Sequence, residues 1–213
     1  MRLVTVAHGT RHEPGNDVAR ELTAAAALRL GMPGVAAFVE LASPLLSSVL
    51  DSDEPSVVVP LLLSTGYHVR EDLVVVAGRA LGPDPLLAAA QVARLVSADA
   101  RPSAPLVMVA AGSRDPAAAR DLMLATALLS DAWGGPVRLA TLGGLGRRPS
   151  EVVRPGDAVT PYLLAAGFFA TRTREESLAA GAELVADVIG PHDRVVDLVV
   201  ARAVELLAAR RSA

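Results

Sequence analysis

VTVAHGTR, residues 4–11, returns at 107–114 as VMVAAGSR, with Val4, Val6, Ala7, Gly9 and Arg11 repeated at an offset of 103. A second pair, PLLLSTG at 60–66 and PYLLAAG at 161–167, follows at offset 101. A third, ALGPDPLL at 80–87 against VIGPHDRV at 188–195, follows at offset 108. Three pairs in the same order with slowly drifting offsets mark a duplicated half of about 100 residues. The drift puts about seven extra residues into the second half after Gly167, where TRTREESLAAGAE reads as a helix. The predicted domains are 1–98 and 105–213, joined by SADARPSAP.

Within each half, β-branched runs alternate with Ala/Leu-rich stretches, the pattern of βα units on a parallel sheet. Strands are predicted near 2–7, 35–41, 56–62 and 73–79, and again near 105–110, 136–142, 158–164 and 183–189. The first helix, about 15–30, ends before Gly31, Pro33 and Gly34. Ser43 and Pro44 read as the N-cap and first residue of a short helix ending near Leu50. Further helices are expected after GPDP to about 97 and near 115–131, 172–181 and 192–210. The fold class is therefore α/β, with two duplicated halves that are each a four-stranded parallel sheet flanked by helices, facing across a cleft.

Composition narrows the chemistry. The 213 residues are 52% hydrophobic and 20% charged, as expected of a well-buried globular chain. Aromatics make up only 3%, so Ala, Val and Leu must fill the core. With no cysteine, disulfides and thiolate or iron–sulfur sites are excluded, and His, Asp and Glu remain as metal ligands. A net charge of −3 without any basic run argues against a nucleic-acid surface. The chain opens on a strand-like MRLVTVAHG rather than on a signal peptide, and Arg29, Glu40, Pro60 and Arg79 interrupt every apolar stretch. A cytoplasmic protein that does not enter the membrane is expected, and the fusion of two halves predicts a monomer.

In parallel sheets, ligands bind beyond the carboxyl ends of the strands. His8, Glu40 and His68 each follow or end a strand of the first half. The second half has Ala111 for His8, Phe169 for His68 and, matching AAFVELA to PVRLATL, Ala140 for Glu40. A histidine at such a point also has a plain structural role, satisfied by backbone hydrogen bonds. Joint loss of all three from a copy that keeps the surrounding glycines favours a shared chemical role. Arg11 and Arg70 flank the histidines and can bind carboxylates in bidentate fashion. Gly9 and Gly66 suit turns where backbone comes close to a ligand, and Thr10, Ser64, Thr65 and Tyr67 complete the expected substrate-binding set. His12 precedes Pro14–Gly15 and is not assigned, and His192 has no identifiable partner.

AHGTR at 7–11, VELASPLL at 39–46, VPLLLSTGYHVREDL at 59–73 and ALGPDP at 80–85 give the chain its resemblance to the sirohydrochlorin chelatases. That family is the ATP-independent class that inserts a divalent metal into a cyclic tetrapyrrole. The resemblance spans both halves and is to the fused, two-half form. It implies that His8 and His68 contact the metal; from imidazole chemistry, the two histidines are expected to hold the metal or take the pyrrole protons in turn, with Glu40 helping as acceptor. Fe2+, Co2+ or Ni2+ would enter as substrate, sirohydrochlorin would be the ring, and no further cofactor would be needed. The product would serve siroheme or cobalamin biosynthesis. The resemblance also implies that Arg11, Arg70 or Arg114 bind the ring's carboxylates, while Phe168 and Phe169 offer it apolar contact. The chain ends in ELLAARRSA, without the histidine-rich or cysteine-bearing tail of some fused members, and its segment after Asp72 is short for the family.

Two other readings compete. HGTRHEPGN is similar to the Arg-His-Gly strand end of the phosphohistidine enzymes, but Ala7 stands where their arginine is needed. A carrier of metal or tetrapyrrole would keep the same histidines without accelerating insertion.

Overall fold

The computed structural model describes residues 1–51, 54–65, 78–102 and 104–211. The first sheet has the order β2-β1-β3, with β1 at Arg2–Ala7, β2 at Gly34–Phe38 and β3 at Ser56–Pro60. The second has the order β5-β4-β6-β7, with β4 at Leu106–Ala110, β5 at Val137–Thr141, β6 at Ala158–Tyr162 and β7 at Leu184–Val185. All pairs are parallel. The central strands β1 and β4 are buried almost throughout, as their apolar, β-branched runs require. The two parallel sheets expected from the repeats, one in each, are present. The fourth strand predicted for the first half, 73–79, falls largely outside the described residues.

Helix α1 (Glu13–Leu30) stops where Gly31 turns left-handed at φ 65° and its N–H bonds the Ala27 and Leu28 carbonyls. Its counterpart α4 (Pro116–Trp133) stops in the same way at Gly134. The stripe Ala19, Leu22, Thr23, Ala26 and Ala27 is the buried side of α1, at the spacing of one helix face. Helix α3 (Pro85–Ser97) begins with the Asp84 carboxylate accepting from the Leu86 N–H and with proline in the first turn. The remaining helices are α2 (Leu46–Leu50), α5 (Pro149–Val152), α6 (Phe168–Ala179) and α7 (Asp193–Arg211). Among the described residues, no helix is long and apolar enough to cross a membrane.

Three local expectations change. Ser43–Pro44 forms a turn ahead of α2, whose N-cap is Leu45. The Pro44 carbonyl is already engaged by the Phe38 N–H, so the chain folds back before it can coil. Helix α6 starts at Phe168, four residues before the predicted 172, because Gly167 at φ 147° turns the chain directly into it. β7 spans two residues only. Its ladder lapses around Asp187 and Val188, then resumes where the Ile189 and Gly190 N–H groups reach the Leu163 and Leu164 carbonyls.

The chain divides into two compact units, and these are not the two sequence repeats. The first unit holds β1, β2, β3, α1, α2 and the final helix α7; the second holds α3 and everything from β4 to Gly190. Helix α7 packs on α1 and β3, while α3 packs on α4 and β6. Each repeat therefore gives its last helix to the other unit. The first core includes Val4, Val6, Ala37, Val49 and Val58, and the second includes Val107, Val109, Ala140, Leu142 and Val159.

Equivalent arginines anchor the two exchanged helices. Arg94 on α3 donates to the Ile189 carbonyl at 3.0 Å, and the buried Arg202 on α7 donates to the Leu81 carbonyl at 3.1 Å. Both donors and both acceptors are related by the offset of 108 that links the third sequence pair.

Candidate functional site

β1 and β2 run side by side and end together, with Ala7 opposite Phe38. Beyond their ends the parallel ladder continues for two bonds, Val39 N–H to the Ala7 carbonyl at 3.0 Å and Glu40 N–H to the His8 carbonyl at 3.1 Å. His8 and Glu40 are therefore held at one carboxyl rim. His8 Nε2 lies 3.6 Å from Glu40 Oε1, and their side chains are 43% and 54% exposed. That separation is too long for a good hydrogen bond. It is close to the span of about 3–3.6 Å that an imidazole nitrogen and a carboxylate oxygen keep when both bind one first-row cation at about 2.1 Å.

Gly9 makes the close approach possible. It sits at φ +94°, and a Cβ built on it would fall 1.9 Å from the Glu40 carbonyl oxygen. Only glycine fits both the dihedral and the space. Next in the chain, the Thr10 N–H donates to Asn16 Oδ1 at 3.0 Å, and Asn16 Nδ2 donates back to the Thr10 carbonyl at 2.9 Å. Arg11 is exposed on the turn that follows.

The structure thus brings His8, Gly9, Thr10 and Glu40 together. Ser64 and Thr65 belong to the second unit, where the Thr65 N–H donates to Asp121 Oδ2 at 2.6 Å and the Leu63 carbonyl accepts from the Tyr162 hydroxyl at 2.9 Å. Gly66, Tyr67, His68 and Arg70 lie outside the described residues. Among the described residues, no group of three metal-binding side chains forms, so His8 and Glu40 stand as a pair.

The second sheet is the internal control, and it corrects one alignment. Ala110 lies opposite Thr141 as Ala7 lies opposite Phe38, and the Leu142 N–H bonds the Ala110 carbonyl as Val39 does that of Ala7. The counterpart of Glu40 is therefore Gly143, not Ala140. A Cβ on Gly112 would meet the Gly143 carbonyl oxygen at 2.0 Å, the same close approach as that of Gly9 to Glu40. The turn survives in the second half, but its side chains are those of Ala111 and Gly143. The position after Glu40 is also informative. Leu41 adopts φ 62° with 49% exposure, whereas its counterpart Gly144 has φ 63°.

In the second unit, Phe168 and Phe169 are exposed on the first turn of α6, their rings 5.4 Å apart edge to face. The Arg172 guanidinium lies 5.6 Å over the Phe168 ring. Asn16, the residue that sequence reasoning missed, would have been reached by carrying the offset of 103 beyond Arg11, where it meets Ala119.

The comparisons agree with this duplication. The CbiX family model matches the chain twice, over residues 2–98 and 105–206. The fold superposes on SirB from Bacillus subtilis with Fe3+, at a TM-score of 0.82 and 21% identity, covering 99% of this chain and 97% of that one. The sirohydrochlorin chelatase SirB from Bacillus subtilis subspecies spizizenii, in complex with cobalt, gives a TM-score of 0.77 at 21% identity, covering 96% and 94%. CbiX described as the terminal enzyme for siroheme biosynthesis in denitrifying bacteria gives 0.70 at 17% identity, covering 96% and 97%. No curated protein sequence matches.

Proposed function

This chain belongs to the CbiX family, and from that premise we propose that it inserts a divalent metal, Fe2+ or Co2+, into sirohydrochlorin. The observation that carries the reading is the His8–Glu40 pair, 3.6 Å apart at one strand rim, where the duplicated rim holds Ala111 and Gly143. The solved relatives named above, one with Fe3+ and one with cobalt, support the same class of reaction.

The residues suit the chemistry. An imidazole that is neutral binds a first-row cation, and as a base it takes a proton from a reacting group. Insertion releases two pyrrole N–H protons for each metal bound, so the site needs both a ligand and an acceptor. In this reading His8 and His68 hold the incoming ion; as the ring nitrogens replace these donors, Glu40 accepts one of the two pyrrole protons and a freed imidazole accepts the other. The half-exposed side chains leave the ion open to a large, flat ligand. Arg11 and Arg70 bind the ring's acetate and propionate groups, while Gly9, Thr10, Ser64, Thr65, Gly66 and Tyr67 line its path. The chain acts as a monomer, because both repeats are already joined. Iron as substrate would yield siroheme, and cobalt would lead towards cobalamin.

The test is an anaerobic absorbance time course of sirohydrochlorin with Fe2+ and then Co2+, comparing wild type with folded His68→Ala. Metallation well above the uncatalysed rate in wild type, lost in the variant, is the expected result. Binding of ring or metal without acceleration would instead make the protein a carrier.

A further inference from the structure

We infer that Asn16, braced by Glu13 and Arg20, is a positioning residue that fixes His8 for metal capture; this rests on the site proposed above. Asn16 is 1% exposed near the start of α1, eight residues beyond His8. Its amide closes a two-bond ring with the Thr10 backbone, accepting at 3.0 Å and donating at 2.9 Å. Nδ2 also reaches Glu13 Oε2 at 3.1 Å, and Glu13 Oε1 accepts from Arg20 Nη1 at 2.6 Å. The Arg20 guanidinium then lies 5.6 Å over the ring of Phe38, the fully buried residue that ends β2 two positions before Glu40. One chain of contacts thus ties the loop carrying His8 to the strand that leads into Glu40.

The second repeat separates folding from positioning. Its helix α4 spans 116–133 against 13–30 for α1, so the offset of 103 holds from end to end. There Glu13, Asn16, Arg20 and Phe38 become Pro116, Ala119, Met123 and Thr141. The turn itself is intact: Gly112 has φ +85° beside +94° for Gly9, and the Asp115 N–H bonds Ser113 Oγ as the His12 N–H bonds Thr10 Oγ1. The turn therefore forms without the asparagine. The whole brace is missing from the copy that lacks His8 and Glu40, which assigns it to holding those side chains rather than to folding the loop. Partners that orient metal ligands typically change affinity by about 10–100-fold.

The experiment titrates Co2+ by its visible absorption into full-length wild type, Asn16→Ala and Arg20→Met, the last being the residue of the other repeat. Sirohydrochlorin binding without metal and thermal unfolding are measured alongside. Asn16→Ala is expected to weaken Co2+ about tenfold and Arg20→Met about threefold, with sirohydrochlorin affinity within about twofold of wild type. Co2+ affinity unchanged in both variants overturns the inference, as does an equal loss for metal and ring. If Asn16→Ala does not fold, Arg20→Met decides alone by the same criterion. Because this readout is binding, it stands even if wild type proves to bind Co2+ without inserting it, an outcome that overturns the chelatase reading only.

Discussion

Gly9 and Glu40 are packed backbone to backbone, so that a single added carbon on Gly9 would lie 1.9 Å from the Glu40 carbonyl oxygen. Gly112 and Gly143 repeat the relationship at 2.0 Å in the unit without the site. Gly9→Ala and Gly112→Ala should therefore cost similar stability, about 2–4 kcal/mol each, through the clash and a positive φ. Only Gly9→Ala should also abolish tight Co2+ binding. Thermal unfolding and metal titration of the pair check this.

Leu41 occupies a left-handed position that its counterpart fills with glycine, and it exposes its side chain beside Glu40. A leucine there is strained by about 1–2 kcal/mol. Leu41→Gly is expected to keep or raise stability by up to about 1 kcal/mol, after glycine's greater entropy loss is subtracted. If the leucine meets the macrocycle, the KM for sirohydrochlorin should rise by up to about tenfold while metal affinity holds.

Tyr162 is buried, its hydroxyl donating to the Leu63 carbonyl at 2.9 Å. Burial, with Asp121 and Asp84 adding repulsion, pushes its phenol well above the ordinary tyrosine value. A raised phenol favours the fold while neutral. Its contribution is complete below about pH 10, then falls by about 1.4 kcal/mol per pH unit until the folded-state value is reached. Tyr162→Phe should cost about 1 kcal/mol at neutral pH by leaving the Leu63 carbonyl without this donor. It should also flatten the alkaline limb of stability, read by denaturant unfolding from pH 9 to 12.

Arg202 is 3% exposed and engages the Ala80 and Leu81 carbonyls, whereas Arg94, among the described residues, engages that of Ile189. Arg202→Ala is expected to cost about 3 kcal/mol and Arg94→Ala about 1–2 kcal/mol. Chemical denaturation of both variants orders the two.

The duplication was legible because the turn at the end of β1 admits only glycine: Gly9 recurs as Gly112 where backbones nearly touch, within runs that also share Val4, Val6, Ala7 and Arg11. Strand β2 was harder. AAFVELA and PVRLATL are both apolar runs, so side-chain similarity could not fix their register; the hydrogen bonds to β1 and β4 do, making Gly143 the partner of Glu40. The exchange of α3 and α7 left no sequence trace, since an amphipathic pattern tells which face of a helix is buried but not which unit buries it. Asn16 escaped notice because a polar residue near a helix start reads as solvated until the fold buries it. His8 and Glu40 were readable from their strand ends. Their separation of 3.6 Å was not, because it depends on the parallel pairing of β1 with β2.

The most direct measurement is the anaerobic rate of Co2+ insertion into sirohydrochlorin by wild type and by His8→Ala, with native circular dichroism verified for both. The predicted result is insertion well above the uncatalysed rate in wild type and a loss of about 100-fold or more in His8→Ala. A variant as fast as wild type, or a wild type no faster than free solution, would contradict the account.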